Sequence, residues 1–108
     1  MALLPCPYLG AEVELSAERE RHIGAQHPDL LPVHRSRVVE TLATPDSVRR
    51  SRRAGNARLF AKWFVDLRGG RYVVAVVVGD PGQEKRPWVI TAYLARKLKE
   101  GEIEWQKN

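Results

Sequence analysis

Leu59-Phe60-Ala61-Lys62-Trp63-Phe64-Val65-Asp66-Leu67 places an apolar residue at every odd position, while its even positions mix Phe with Lys and Asp. That two-residue period is the mark of a half-buried strand. Gly69-Gly70 follows as a hairpin turn signal, and Arg71 to Val78 is β-branched on both faces, as a central strand would be. Gly79 to Pro87 reads as a loop, in which Asp80-Pro81-Gly82 is a tight turn with neither the length nor the Lys of a phosphate loop. Trp88 to Leu94 returns as a strand, with Thr91 and Tyr93 on one face and Trp88, Ile90, Ala92 and Leu94 on the other. An earlier, weaker strand covers Ser47 to Arg53.

Upstream of these strands the period is helical. Ser16 is an N-cap residue type, and Glu18 and Glu20 fall in the first turn, where the helix dipole favours negative charge. The spacing predicts a helix from about Ala17 to Gln26, ended at His27-Pro28 because the residue before proline is pushed out of the α region. A second helix is expected from Pro32 to about Leu42, with Val38, Val39 and Leu42 as its apolar stripe, before Thr44-Pro45-Asp46 breaks it. The expected fold class is α+β: two N-terminal helices packed on one face of an antiparallel sheet of three to four strands, the other face free for a ligand. Residues 1–108 form one domain, its core about 15–105.

The 108 residues, 44% hydrophobic and 29% charged, suit one small globular domain with too little interior for a large prosthetic group. No cofactor is expected. Cys6 is the single cysteine, so an internal disulfide is excluded and a reducing compartment is implied. No apolar run approaches the ~18 residues of a membrane span, and the first residues lack the charged opening and apolar stretch of an export signal. The expected setting is cytoplasmic, with no membrane partner. Net charge is +5, and 13 of the 18 cationic residues are Arg, whose planar fork fits phosphate oxygens in pairs.

The densest positive run is Arg49-Arg50-Ser51-Arg52-Arg53, continued by Arg58 and Lys62. Phosphate is its natural counterpart, so Arg49, Arg50, Arg52, Arg53 and Lys62 are candidate nucleic-acid contacts; a solvated edge strand would carry the same charges. His22 and His27 are candidates for proton transfer, imidazole being the side chain that titrates near neutral pH. A helix C-cap role for His27 and a plain surface role for His22 are the alternatives. Thr91 and Tyr93 offer a hydroxyl pair on one strand face. A zinc site from His22, His27, His34 and Cys6 lacks the usual ligand spacings, and no metal is expected.

Taken in order, Leu15-Ser16-Ala17-Glu18-Arg19, His22-Ile23, His27-Pro28-Asp29-Leu30, Thr44-Pro45-Asp46-Ser47-Val48, Arg58-Leu59-Phe60, Val74 to Val78 and Ile90-Thr91-Ala92-Tyr93-Leu94 resemble the phage and mobile-element branch of the barnase, EndoU, colicin and RelE-like (BECR) nuclease superfamily. The resemblance covers about Leu15 to Trp105. It implies a toxin-like, metal-independent endoribonuclease whose active residues would be His22 or His27, Arg58, and Thr91 with Tyr93. Where the family often has Glu after the His-Pro pair, this chain has Asp29. Such an enzyme uses the 2′-OH of RNA as nucleophile and leaves a 2′,3′-cyclic phosphate, with Arg58 and Lys62 countering phosphate charge. Two rival readings remain: a non-catalytic nucleic-acid-binding module on the same basic sheet, or a partner-binding domain of degenerate nuclease fold facing an acidic antitoxin or immunity protein.

Overall fold

In the computed structural model, which describes residues 1–80 and 85–108, the chain runs β1 (Ala2–Cys6), a 3-10 turn (Pro7–Leu9), β2 (Ala11–Leu15), α1 (Ala17–Gln26), α2 (Arg35–Ala43), β3 (Ser47–Arg50), β4 (Ala57–Phe64), β5 (Arg71–Val78), β6 (Trp88–Ala95) and β7 (Glu102–Gln106). The seven strands form one sheet in the order β1-β2-β6-β5-β4-β3-β7. This corrects the expected antiparallel sheet of three to four strands. The sheet is mixed, because β2 and β6 meet in parallel through Glu14 and Trp88, and a hairpin precedes the helices. The added strands have a plain cause: β1 carries Pro5, which an edge strand tolerates because one side of it needs no ladder, and β2 is a short alternation that buries Val13 and Leu15.

Both helices lie on one face, α2 across β1, β4 and β5 and α1 against β6. Ser16 caps α1 as expected, its Oγ accepting from the Arg19 N–H at 3.0 Å. The second helix starts at Arg35 rather than Pro32. Ile23, Val38 and Leu42 from the helices close over Val13, Phe60, Val73 and Val77 from the sheet. Phe60 is fully buried, so on this strand it is the even positions that carry the main core. The odd positions Leu59 and Ala61 join Val74 in a second, smaller cluster on the opposite face.

A bulge revises the faces of β6. Val76 pairs with Thr91 but Val77 pairs with Val89, which leaves Ile90 as the extra residue. Trp88, opposite Val78, therefore shares a face with Thr91 and Tyr93 instead of opposing them. The expected turn at Asp80-Pro81-Gly82 falls mostly outside the described residues.

The face away from the helices is not bare. Chain order requires the segment from Ala95 to Glu102 to pass from β6 over β5, β4 and β3 to the far edge. Crossing four strand spacings while descending the sheet needs roughly 25 Å, which seven residue steps just span when extended. Leu98 anchors this strap against the Leu59–Ala61–Val74 cluster. Its end demands glycine: Gly101 has φ +82°, and a Cβ there would sit 2.7 Å from the Arg50 carbonyl oxygen.

Candidate functional site

The sheet separates the predicted site residues into two groups. Arg58 and Lys62 pair with Val77 and Val73, and so belong to the helix side of the sheet. Thr91 and Tyr93 pair with Val76 and Val74, on the strap side. The expected convergence of Arg58 and Lys62 with the two hydroxyls does not occur, since side chains alternate across a strand.

Arg58 sits in an ion cluster. Its Nη1 donates to Asp80 Oδ1 at 2.8 Å and its Nε to Glu104 Oε2 at 2.9 Å. Arg50 Nε donates to Glu104 Oε1 at 3.0 Å, and Arg50 Nη1 donates to the Gly55 carbonyl. The Tyr8 hydroxyl donates to Glu104 Oε2 at 2.6 Å. Burial opposes charge on Arg58, whose side chain is 11% exposed, yet the bonds to Asp80 and Glu104 prevail and raise its pKa. Burial likewise works against the Glu104 carboxylate, but the Tyr8 hydroxyl and both guanidiniums outweigh it and hold its pKa low. Burial, then the bond to Glu104, push the Tyr8 phenol up to about 12. These groups satisfy one another and tie β7 to β3 and β4. Tyr8, Asp80 and Glu104 carry no signal in the sequence, being 22 to 96 residues from their partners.

Lys62 is similarly occupied. Its Nζ donates to the Thr44 carbonyl at 2.8 Å and to Thr44 Oγ1 at 3.2 Å, a cation at the C-terminal end of α2 where the dipole favours it. Arg52 and Arg53 lie beyond the end of β3, exposed in the following turn.

His27 and His22 lie apart. His27 is the C-cap of α1, its N–H donating to the Ile23 carbonyl at 2.7 Å, so the capping alternative holds for its backbone. Its ring does more: the imidazole and the Tyr93 phenol have centroids 6.0 Å apart at 41°. His22 instead lines a hollow with Arg19, Arg21 and Trp88, where the Arg19 guanidinium lies 5.8 Å over the Trp88 ring. Burial, and then the charge of Glu100, raise the Tyr93 pKa, so this phenol keeps its proton at neutral pH. Tyr93 also lines a small, largely apolar hollow of about 20 Å³, bordered by Arg49, Lys97, Lys99 and Glu100. Lys97 and Lys99 went unnoticed in the sequence because the strap's path over the sheet follows only from strand order.

Among the described residues, no three His, Cys, Asp or Glu side chains are placed to hold a metal ion, and no helix is long and apolar enough to cross a membrane. In comparison with known proteins, no family model, no curated protein and no solved structure matches the chain.

Proposed function

We propose that this chain is a metal-independent endoribonuclease of the BECR type, acting in a cytoplasmic setting on the strap side of β6 rather than around Arg58. The observation that carries the reading is the contact between the His27 imidazole and the Tyr93 phenol, an amino-terminal imidazole meeting the hydroxyl-bearing strand face. The hollow beside Tyr93, about 20 Å³, is too small to admit a phosphate, so the linkage lies over its mouth, where the exposed Lys97 and Lys99, with Arg49, rather than Arg58 and Lys62, counter the phosphate charge. In the reaction O2′ bonds to phosphorus and the P–O5′ bond breaks. His27 exchanges a proton with one of the two oxygens, and solvent serves the other. Tyr93, protonated, donates to a phosphoryl oxygen as charge builds there, the cations stabilise the same charge, and Thr91 orients the linkage.

A second reading, RNA binding without cleavage, draws on the occupation of Arg58 and Lys62 by intramolecular partners. The two separate cleanly. With RNA in EDTA, wild-type protein is expected to release fragments ending in 2′,3′-cyclic phosphate, and His27→Ala to cut about 10²- to 10⁴-fold more slowly with an unchanged circular dichroism spectrum. Intact RNA at micromolar protein, or wild-type rates from both His27→Ala and Tyr93→Phe, overturns the catalytic reading.

A further inference from the structure

The strap side holds two polar atoms that the fold leaves alone. Ser47 is 7% exposed and its Oγ has no partner among the described residues; the Nε of Arg49 is buried and equally without one there. Both residues occupy odd positions of β3, opposite Ala61 and Leu59, so both face away from the helices. Buried donors and acceptors are nearly always satisfied, and such a pair marks a place where something else completes the bonding.

Around them lies a hollow of about 450 Å³ whose lining includes Trp63, Tyr72, Leu98 and Lys107, within the size range of small-molecule sites. Trp63 is 43% exposed. Its ring is held on one side by Gly70, where a Cβ would lie 2.5 Å from Cζ2, and by an edge contact with Tyr72 at 4.9 Å. Asp46, also in the lining, has Oδ2 engaged by the Trp63 backbone N–H at 2.8 Å. What remains is a partly exposed indole, packed on Gly70 and Tyr72, beside a buried guanidinium nitrogen and hydroxyl without partners among the described residues. An aromatic face accepts any base, and an adjacent Arg fits the phosphate.

Arg49 and Leu98 also line the Tyr93 hollow, so the two hollows adjoin, about 10 Å apart across two strand spacings. We infer that the Trp63 hollow is a subsite for one nucleotide of single-stranded RNA neighbouring the scissile one. Its base stacks on Trp63, and the linking phosphate lies on Arg49 and Ser47. The identity of the ligand rests on the ribonuclease reading; the place and mode of its binding rest on the hollow itself.

The test measures binding of an uncleavable 2′-O-methyl oligoribonucleotide by fluorescence anisotropy across a salt series, so that failure of cleavage leaves it intact. Trp63→Ala is expected to weaken binding about 5- to 150-fold, the effect of losing one base-aromatic stack, and Trp63→Phe to restore most of it. Arg49→Ala is expected to weaken binding and to lower the slope of log K against log salt by about 0.7, one phosphate on a single strand. Trp63→Phe leaves that slope unchanged. Arg68→Ala, removing a cation outside both hollows, provides the charge control. Equal binding by wild type, Trp63→Ala and Arg49→Ala overturns the subsite, as does an Arg68→Ala loss matching that of Arg49→Ala. Should Trp63→Ala unfold, Ser47→Ala with Arg49→Ala decides: unchanged affinity in both overturns it.

Discussion

The two faces of the sheet use arginine in opposite ways. On the helix side, Arg50 and Arg58 share Glu104 with Tyr8, and Arg58 also holds Asp80, so the guanidiniums are engaged by groups of the same chain. On the strap side, Arg49, one residue away from Arg50, leaves its buried Nε unpaired among the described residues. The alternation of β3 sends neighbouring cations of one basic run to different fates. Positive charge in a sequence therefore does not mark a binding site until its partners are known: a saturated guanidinium fastens strands, and only an unsaturated one is a candidate to meet a ligand.

The sharpest way to break this comparison is Arg58→Ala. Removing a largely buried partner takes one guanidinium from Glu104 and the cation from Asp80, and is expected to cost about 2–3 kcal/mol of stability in urea unfolding, below the loss from a fully buried pair because Glu104 keeps Arg50, Tyr8 and some water and Asp80 is partly exposed. RNA cleavage per folded molecule should stay near wild type. A cleavage loss as deep as that of His27→Ala, without loss of stability, would return the active centre to the helix side.

The pH dependence of stability tests the same cluster more gently. Glu104 has a folded pKa below its unfolded value, so its contribution is complete above the ordinary carboxylate range and disappears as pH falls through the folded pKa. Glu104→Gln should flatten that acid limb. Tyr8 has a folded pKa raised from 10.0 to about 12, so its contribution is complete below about 10 and is lost as pH climbs towards 12. Tyr8→Phe should remove that alkaline limb. Acid and alkaline profiles unchanged by both substitutions would mean the cluster does not fasten β7.

Local patterns made single elements readable, though not the sheet: the capping Ser16, the β5 run, the Gly69-Gly70 turn and the stripe of Val38 and Leu42 all depend on near neighbours in sequence. What stayed hidden depends on distant ones. The β1–β2 hairpin is absent from the expected elements, and its Pro5 is one an edge strand accommodates. The bulge at Ile90 moves Trp88 to the other face, and nothing in Trp88-Val89-Ile90-Thr91 announces an extra residue. His27 stands out by its chemistry and Tyr93 by the resemblance together with its hydroxyl, and their rings lie 6.0 Å apart. Arg58 stands out by its charge, but its neighbour Asp80 follows only from the β4–β5 register and Glu104 only from β7 lying beside β3.

The smallest expected effect concerns Arg52, a member of the same basic run that belongs to neither fate. Its Nε lies 3.7 Å from Glu102 Oε1, with both side chains at least 70% exposed. Water screens such a pair and the long side chains lose entropy by meeting, so Arg52→Ala should move stability by less than about 0.5 kcal/mol. On RNA it should act only through the general field, weakening binding less than Arg49→Ala and only at low salt, where exposed charges reach furthest. A double-mutant cycle with Glu102→Gln measures the first point, and the anisotropy salt series measures the second. A coupling well above 0.5 kcal/mol would show that exposed members of the run also fasten the sheet, and the contrast between its saturated and unsaturated arginines would then rest on burial less than on sequence order.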